Sequence, residues 1–315
     1  MPTPLASLAL GIASLGWYLE NALPLQGWGQ ITGAVIAASL LSALIAKFTR
    51  HPDSLLQDLQ HPVVGSILPT FAMATMVISK TVGLFHPVAA QILWLTAVIS
   101  HITALISFCY HRAQAFSMHQ MVPSWFVPPV GIVVAALTVP GAQFIPLSLV
   151  LLTFGMLSCL ILLPLMIYRL LFFHEVPDSA KPTIAILAAP ASLVLAGYLS
   201  VVSVPSLLLC SLLLGIAVLM TVVTYCAFFR LLQLPFSPAY AAFTFPMAIG
   251  ATALYKLSAL LSQYELAQDY ADQVYWMATM EIVIATLIIT YVSLRYLHYY
   301  WSSRPHQSGN HQGVP

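Results

Sequence analysis

The sequence predicts an all-α integral membrane protein of ten transmembrane helices, paired as five helical hairpins with the odd-numbered helices inside. Three observations predict it. The 315 residues are 60% hydrophobic and 6% charged, with a mean hydropathy of +0.92, whereas a soluble domain is about 25% charged. Apolar stretches long enough to cross a bilayer follow one another with short connections. On alternate stretches an interior proline followed by small residues recurs about every 60 positions, the mark of an internal repeat.

The apolar stretches lie at about 4–20, 28–48, 63–81, 86–110, 124–140, 145–171, 181–201, 205–230, 238–258 and 274–298. The polar connections are His51 to Gln60, the segment around Glu175 to Lys181, and Gln263 to Asp272. Residues 1–302 are expected to form one ten-helix domain, and 303–315 a polar cytoplasmic tail whose Gly, His and Pro content suits disorder. No Lys or Arg precedes the first apolar run, so that run is expected to be a retained span and not a cleaved signal.

Basic residues favour cytoplasmic loops. Lys47, Arg50, Arg112, Arg169, Lys181, Arg230, Arg295 and Arg304 all fall at one set of span ends. Lys80 and Lys256 fall at the other, with Glu20, Glu265, Asp269 and Asp272. An even number of spans with this bias places both termini in the cytoplasm, in a bacterial inner membrane.

The repeat reads Pro69 in LPTFAMAT, Pro128 and Pro129 in VPPVGIVVAA, Pro190 in APASLVLAG and Pro246 in FPMAIGATA. Counting back reaches Gly11 in ALGIASLG, where glycines replace the proline. Proline removes one helix hydrogen bond and bends the helix. In hydrocarbon the freed carbonyl needs protein or water beside it. Five kinked, small-faced helices therefore belong around an axis, and five straighter ones belong against lipid.

The stretch from Ser237 to Leu257 is the most telling. At about 100° per residue, Ala241, Phe245, Ala248, Ile249 and Thr252 share one face. One aromatic ring thus stands on a small-residue surface, suited to block a narrow path by sterics and dewetting. Phe71, Phe126, Val194 and Thr252 are further candidates to line it. No Lys or Arg lies in the middle of an odd span, so any charge preference along the path would come from half-helix ends and from the basic cytoplasmic side.

Other chemistry is sparse. Cys109, Cys159, Cys210 and Cys226 lie in apolar stretches without a C-x-x-C pair and read as buried thiols. No basic run points to nucleic acid. No clustered nucleophile, acid–base pair or metal motif points to an enzyme, so no cofactor and no bound metal are expected. Two ionisable residues lie inside even spans, His101 and Glu281. An intramembrane acid is a functional candidate. Glu281 either couples transport to protons or is held neutral between helices; His101 reads as structural.

Four strings, HPVVGSILPTFAMATM, PSWFVPPVGIVVAALT, KPTIAILAAPASLVLAGYL and AFTFPMAIGATAL, resemble the tellurite-resistance/dicarboxylate transporter family, which includes the slow-type anion channels of plants. The resemblance covers nearly the whole chain. It implies five hairpins in quasi-fivefold arrangement, a central pore lined by the odd helices, and subunits associated as homotrimers. It also implies that a ninth-helix phenylalanine, here Phe245, plugs the pore. The function so implied is passage of small anions: chloride, nitrate, sulfite, tellurite or C4-dicarboxylates. A proton-coupled dicarboxylate or sulfite carrier is the alternative.

Overall fold

The computed structural model describes residues 1–173 and 176–302. His174, Glu175 and the expected tail 303–315, with Arg304, lie outside the described residues. Among the described residues all regular structure is helical.

Ten helical segments follow in order. They are α1 (Leu5–Ala22), α2 (Trp28–Arg50), α3 (Val64–Val82), α4 (Pro87–Gln114) and α5 (Pro123–Leu137). Then come α6 (Ala142–Phe172), α7 (Lys181–Val201), α8 (Leu207–Leu231), α9 (Pro238–Leu261) and α10 (Glu265–Trp301). A short helix, Pro52–Gln60, joins α2 to α3. Eight of these, all but α1 and α5, are long and apolar enough to cross a membrane.

Burial divides the eight into two classes. In α3, α7 and α9, 72%, 72% and 67% of the most apolar window is buried, against 28–33% in α2, α4, α6, α8 and α10. Most of α1 is buried as well, and in α5 every residue but Pro129 is. Each segment packs on its sequence neighbour: α1 on α2, α3 on α4, α5 on α6, α7 on α8, α9 on α10. The buried segments also touch one another in a cycle, α1 to α3, α3 to α5, α5 to α7, α7 to α9, and α9 back to α1.

The prolines do not kink continuous α-helices, as the sequence led us to expect. In α5, α7 and α9 they mark switches from a tighter 3₁₀ turn to an α-helix, and in α3 a two-residue turn between α-helical Val64–Ile67 and Thr70–Val82. α7 is 3₁₀ over Lys181–Ala188 and α-helical from Ala189, with Pro190 second in the α part. α9 is 3₁₀ over Pro238–Phe243 and α-helical from Thr244, with Pro246 third. Pro69 immediately precedes the α part Thr70–Val82, and Pro128 and Pro129 fall inside the four-residue turn Val127–Val130 of α5. The reason is steric. Near the start of an α part only a short turn lies behind the proline ring, so it disturbs fewer helical bonds than it would in mid-helix. α1 runs unbroken through Gly11, so no bend occurs there.

The carbonyls loosened at these switches find local donors, as the bilayer demands. Thr70 Oγ1 donates to Ile67 O at 2.7 Å, Thr244 Oγ1 to Ala241 O at 2.8 Å and Ser192 Oγ to Ala188 O at 3.0 Å. His101 of α4 bonds through Nε2 to Pro128 O at 2.8 Å, which explains a fully buried imidazole in a lipid-side helix.

The segment Gln263 to Asp272 departs from the expected loop: most of it is the start of α10. Asp269 in its first turn favours the helix N-terminus electrostatically.

Candidate functional site: a small cavity inside the cycle of helices

A cavity of about 40 Å³ lies where the five buried segments meet. Ser7 and Leu10 come from α1, Thr70 and Met73 from α3, and Phe126 and Val130 from α5. Ile186, Pro190 and Leu193 come from α7, and Ala241, Phe245 and Pro246 from α9. A water needs roughly 10–15 Å³ on this scale, so the space holds a few waters at most and no hydrated ion.

The wall is almost wholly apolar. Its polar side chains are Ser7 and Thr70, and Ser7 Oγ donates to Thr70 Oγ1 at 3.2 Å. No charged side chain lines it. The Phe245 ring stands on the wall and is 7% exposed. The α parts of α3, α7 and α9 start beside the cavity, at Thr70, Ala189 and Thr244. Their N-terminal ends direct the positive pole of the helix dipole toward it.

Gly11 contributes differently from its expected role. A Cβ there would lie 2.4 Å from Thr244 Cβ and 3.2 Å from Phe245 N. The missing side chain lets α1 approach the turn that carries Phe245. Thr244 Oγ1 also reaches Ser7 O at 3.1 Å, which ties the two helices together.

The other candidates separate. Pro69 and Phe71 line a different cavity, outside α3 and between α2 and α4. Thr252 lines a small cavity farther along α9, with Trp17, Tyr18, Asn21, Tyr255 and Lys256. Val194 is fully buried in packing, Pro128 presents its carbonyl to His101, and Pro129 is half-buried. Glu281 lies in α10, beside a cavity bounded by α7, α8, α9 and α10. Of the residues singled out in sequence, Phe245, Pro190, Pro246 and Phe126 share the central cavity. Ser7, Thr70, Met73 and Leu193 were missed. A hydroxyl directly after the repeated proline was the available signal for Thr70.

The basic side chains are largely engaged in tethering loops. Lys47 Nζ pairs with Asp58 at 3.1 Å, and Thr3 Oγ1 donates to the same carboxylate at 2.5 Å. Lys181 pairs with Asp178 at 2.7 Å. Arg112 donates to Gln60 O at 2.5 Å and Arg169 to His119 O at 3.0 Å. Lys80 and Lys256 lie at the far ends of α3 and α9; Lys80 Nζ donates to Val139 O at 3.2 Å, and neither lysine forms an ion pair among the described residues. Among the described residues no group of His, Cys, Asp or Glu is placed to hold a metal.

A profile of the SLAC1 family, described as voltage-dependent anion channels, matches residues 5–297. The chain belongs to the SLAC1 family. Two relatives from Methanocaldococcus jannaschii are each described as an uncharacterized transporter. One is 22% identical over 273 residues, covering 78% of this chain and 79% of the relative. The other is 22% identical over 230 residues, covering 64% and 66%. SLAC1-family members are anion channels and transporters, not enzymes, and the long apolar helices make this one an integral membrane protein.

Proposed function

We propose that this SLAC1-family protein is a channel or uniporter for small anions, closed in this conformation by Phe245. Chloride, nitrate, sulfite, tellurite and C4-dicarboxylates are the substrate class. One observation carries the reading: residues from all five buried segments meet at a cavity too small for a hydrated ion, with the Phe245 ring on its wall. A constriction this apolar resists wetting, and moving one ring opens it. Selection for anions would rest on the three helix N-termini around the cavity and on Lys80 and Lys256 at one mouth.

The same reading makes α1 and α5 membrane crossings, giving ten crossings as five hairpins in quasi-fivefold order. The contact cycle supports it, as does length: seven 3₁₀ and eight α residues give α5 about 26 Å, near the bilayer's apolar thickness of about 30 Å. Both termini then face the cytoplasm. The cytoplasmic termini rest on the charge bias, and the bacterial inner membrane and the homotrimer rest on the family resemblance.

The test is Phe245→Ala in proteoliposomes. Chloride and nitrate flux is expected to rise about tenfold or more as the constriction wets. Flux at or below that of the unaltered protein, with the variant folded, rejects the gate. A proton-coupled carrier using Glu281 is the second reading. What favours it is a buried carboxyl with one oxygen unpartnered. Against it, that carboxyl faces another cavity, with α9 between it and the central one. Under the channel reading, Glu281→Gln leaves flux independent of a proton gradient, as before.

A further inference from the structure

The Glu281 cavity has a chemistry of its own. It measures about 230 Å³ and lies outside α7 and α9, between α8 and α10. Pro190 and Leu193 of α7 and Phe245 of α9 face the central cavity, whereas Ser192, Leu195 and Gly250 of the same helices face this one. Its outer rim carries Val222 and Met280, which are 52% and 67% exposed on the apolar outside of the molecule. It therefore opens toward lipid, not toward water.

Glu281 is 6% exposed and its carboxyl enters this space. One oxygen accepts a hydrogen bond from the Tyr225 hydroxyl. The other, Oε1, has no partner and lies beside Gly250, where a Cβ would come within 3.0 Å of it. No Lys, Arg or His lines the cavity. A buried acid with one oxygen unpartnered and no counter-charge is costly, more so at membrane depth.

We infer that this cavity is a binding site for a lipophilic amine that enters from the bilayer, its ammonium group on Glu281 Oε1 and its alkyl body between α8 and α10. The ammonium supplies both what the carboxyl lacks, a hydrogen-bond donor and a positive charge. The alkyl chain suits the apolar wall, and its far end remains in lipid. A neutral alcohol supplies the donor alone. The site is separate from the anion path and does not depend on Phe245 acting as a gate.

The probe is a diazirine-bearing decylamine, photolysed with the purified full-length protein in neutral detergent. Labelled peptides are mapped by mass spectrometry, without any transport measurement. The expected adducts fall between Leu214 and Tyr225 or between Met277 and Ile284, and unlabelled decylamine removes them while decanol does not. Loss of a charge-assisted hydrogen bond predicts about tenfold less labelling in Glu281→Gln. Val218→Trp, which fills the cavity without touching the carboxyl, is expected to lower labelling equally and decides the matter if Glu281→Gln fails to fold. Labelling elsewhere, equal competition by decanol, or unchanged labelling in either folded variant overturns the inference.

Discussion

Single residues act here mainly through what their neighbours lack. His101 is fully buried because the Pro128 carbonyl needs a donor. His101→Phe removes that donor, and an unsatisfied buried carbonyl costs about 1–3 kcal/mol. The expected result is a lower melting temperature in detergent with no new anion selectivity. His101→Gln, which can still donate, should recover part of the loss. Gly11 is the opposite case, valuable for an absent atom. Gly11→Val pushes on Thr244 beside Phe245, so flux in proteoliposomes should change along with stability. A purely structural glycine would alter stability alone. Sequence reasoning identified both positions and missed both reasons, because neither a carbonyl's orientation nor an interhelical distance is written in one chain segment.

At the scale of the element, the proline period was legible and the helix type was not. Proline at a 3₁₀-to-α switch and proline at a mid-helix kink leave the same letters in the sequence. The difference has a measurable consequence. A proline near the start of the α part disturbs less of the helix than one in its middle, so Pro246→Ala should change stability by less than about 1 kcal/mol, where removing a true kink would straighten α9. The wheel drawn through α9 missed Ala242 for the same reason, whereas Thr252 shares the α part with Phe245 and is separated from it by seven residues of rise. Over the six 3₁₀ residues Pro238–Phe243 the chain turns roughly 20° more per residue than an α-helix. Ala241 and Phe245 still met at the cavity, but Ala242 and Pro246 joined them there, while Thr252 lines another cavity. Phe71 misled for a related reason. Its string matches the repeat, yet it lies one residue into the α part of α3 and faces outward, whereas Thr70 and Met73 face the cavity.

For the whole molecule, composition was the strongest sequence signal, and its division between segments was invisible. Inner and outer helices are both apolar, so hydropathy does not separate them; small residues and prolines do. The topology proposed above is checked by single cysteines in a background without the four native ones. Leu266→Cys, at a site 99% exposed in the first turn of α10, should react with an impermeant maleimide added outside cells. Phe116→Cys, exposed beyond the end of α4, should react only after permeabilisation. The reverse pattern would invert the orientation.

The contact between α1 and α9 joins residues 237 positions apart, Thr244 with Ser7. During synthesis the face of the first helix around Gly11 therefore waits for nearly the entire chain before its mate is made. Translocon-inserted fragments that stop before the ninth helix should be recognised by membrane quality-control proteases, and supplying the missing last hairpin as a separate polypeptide should rescue them.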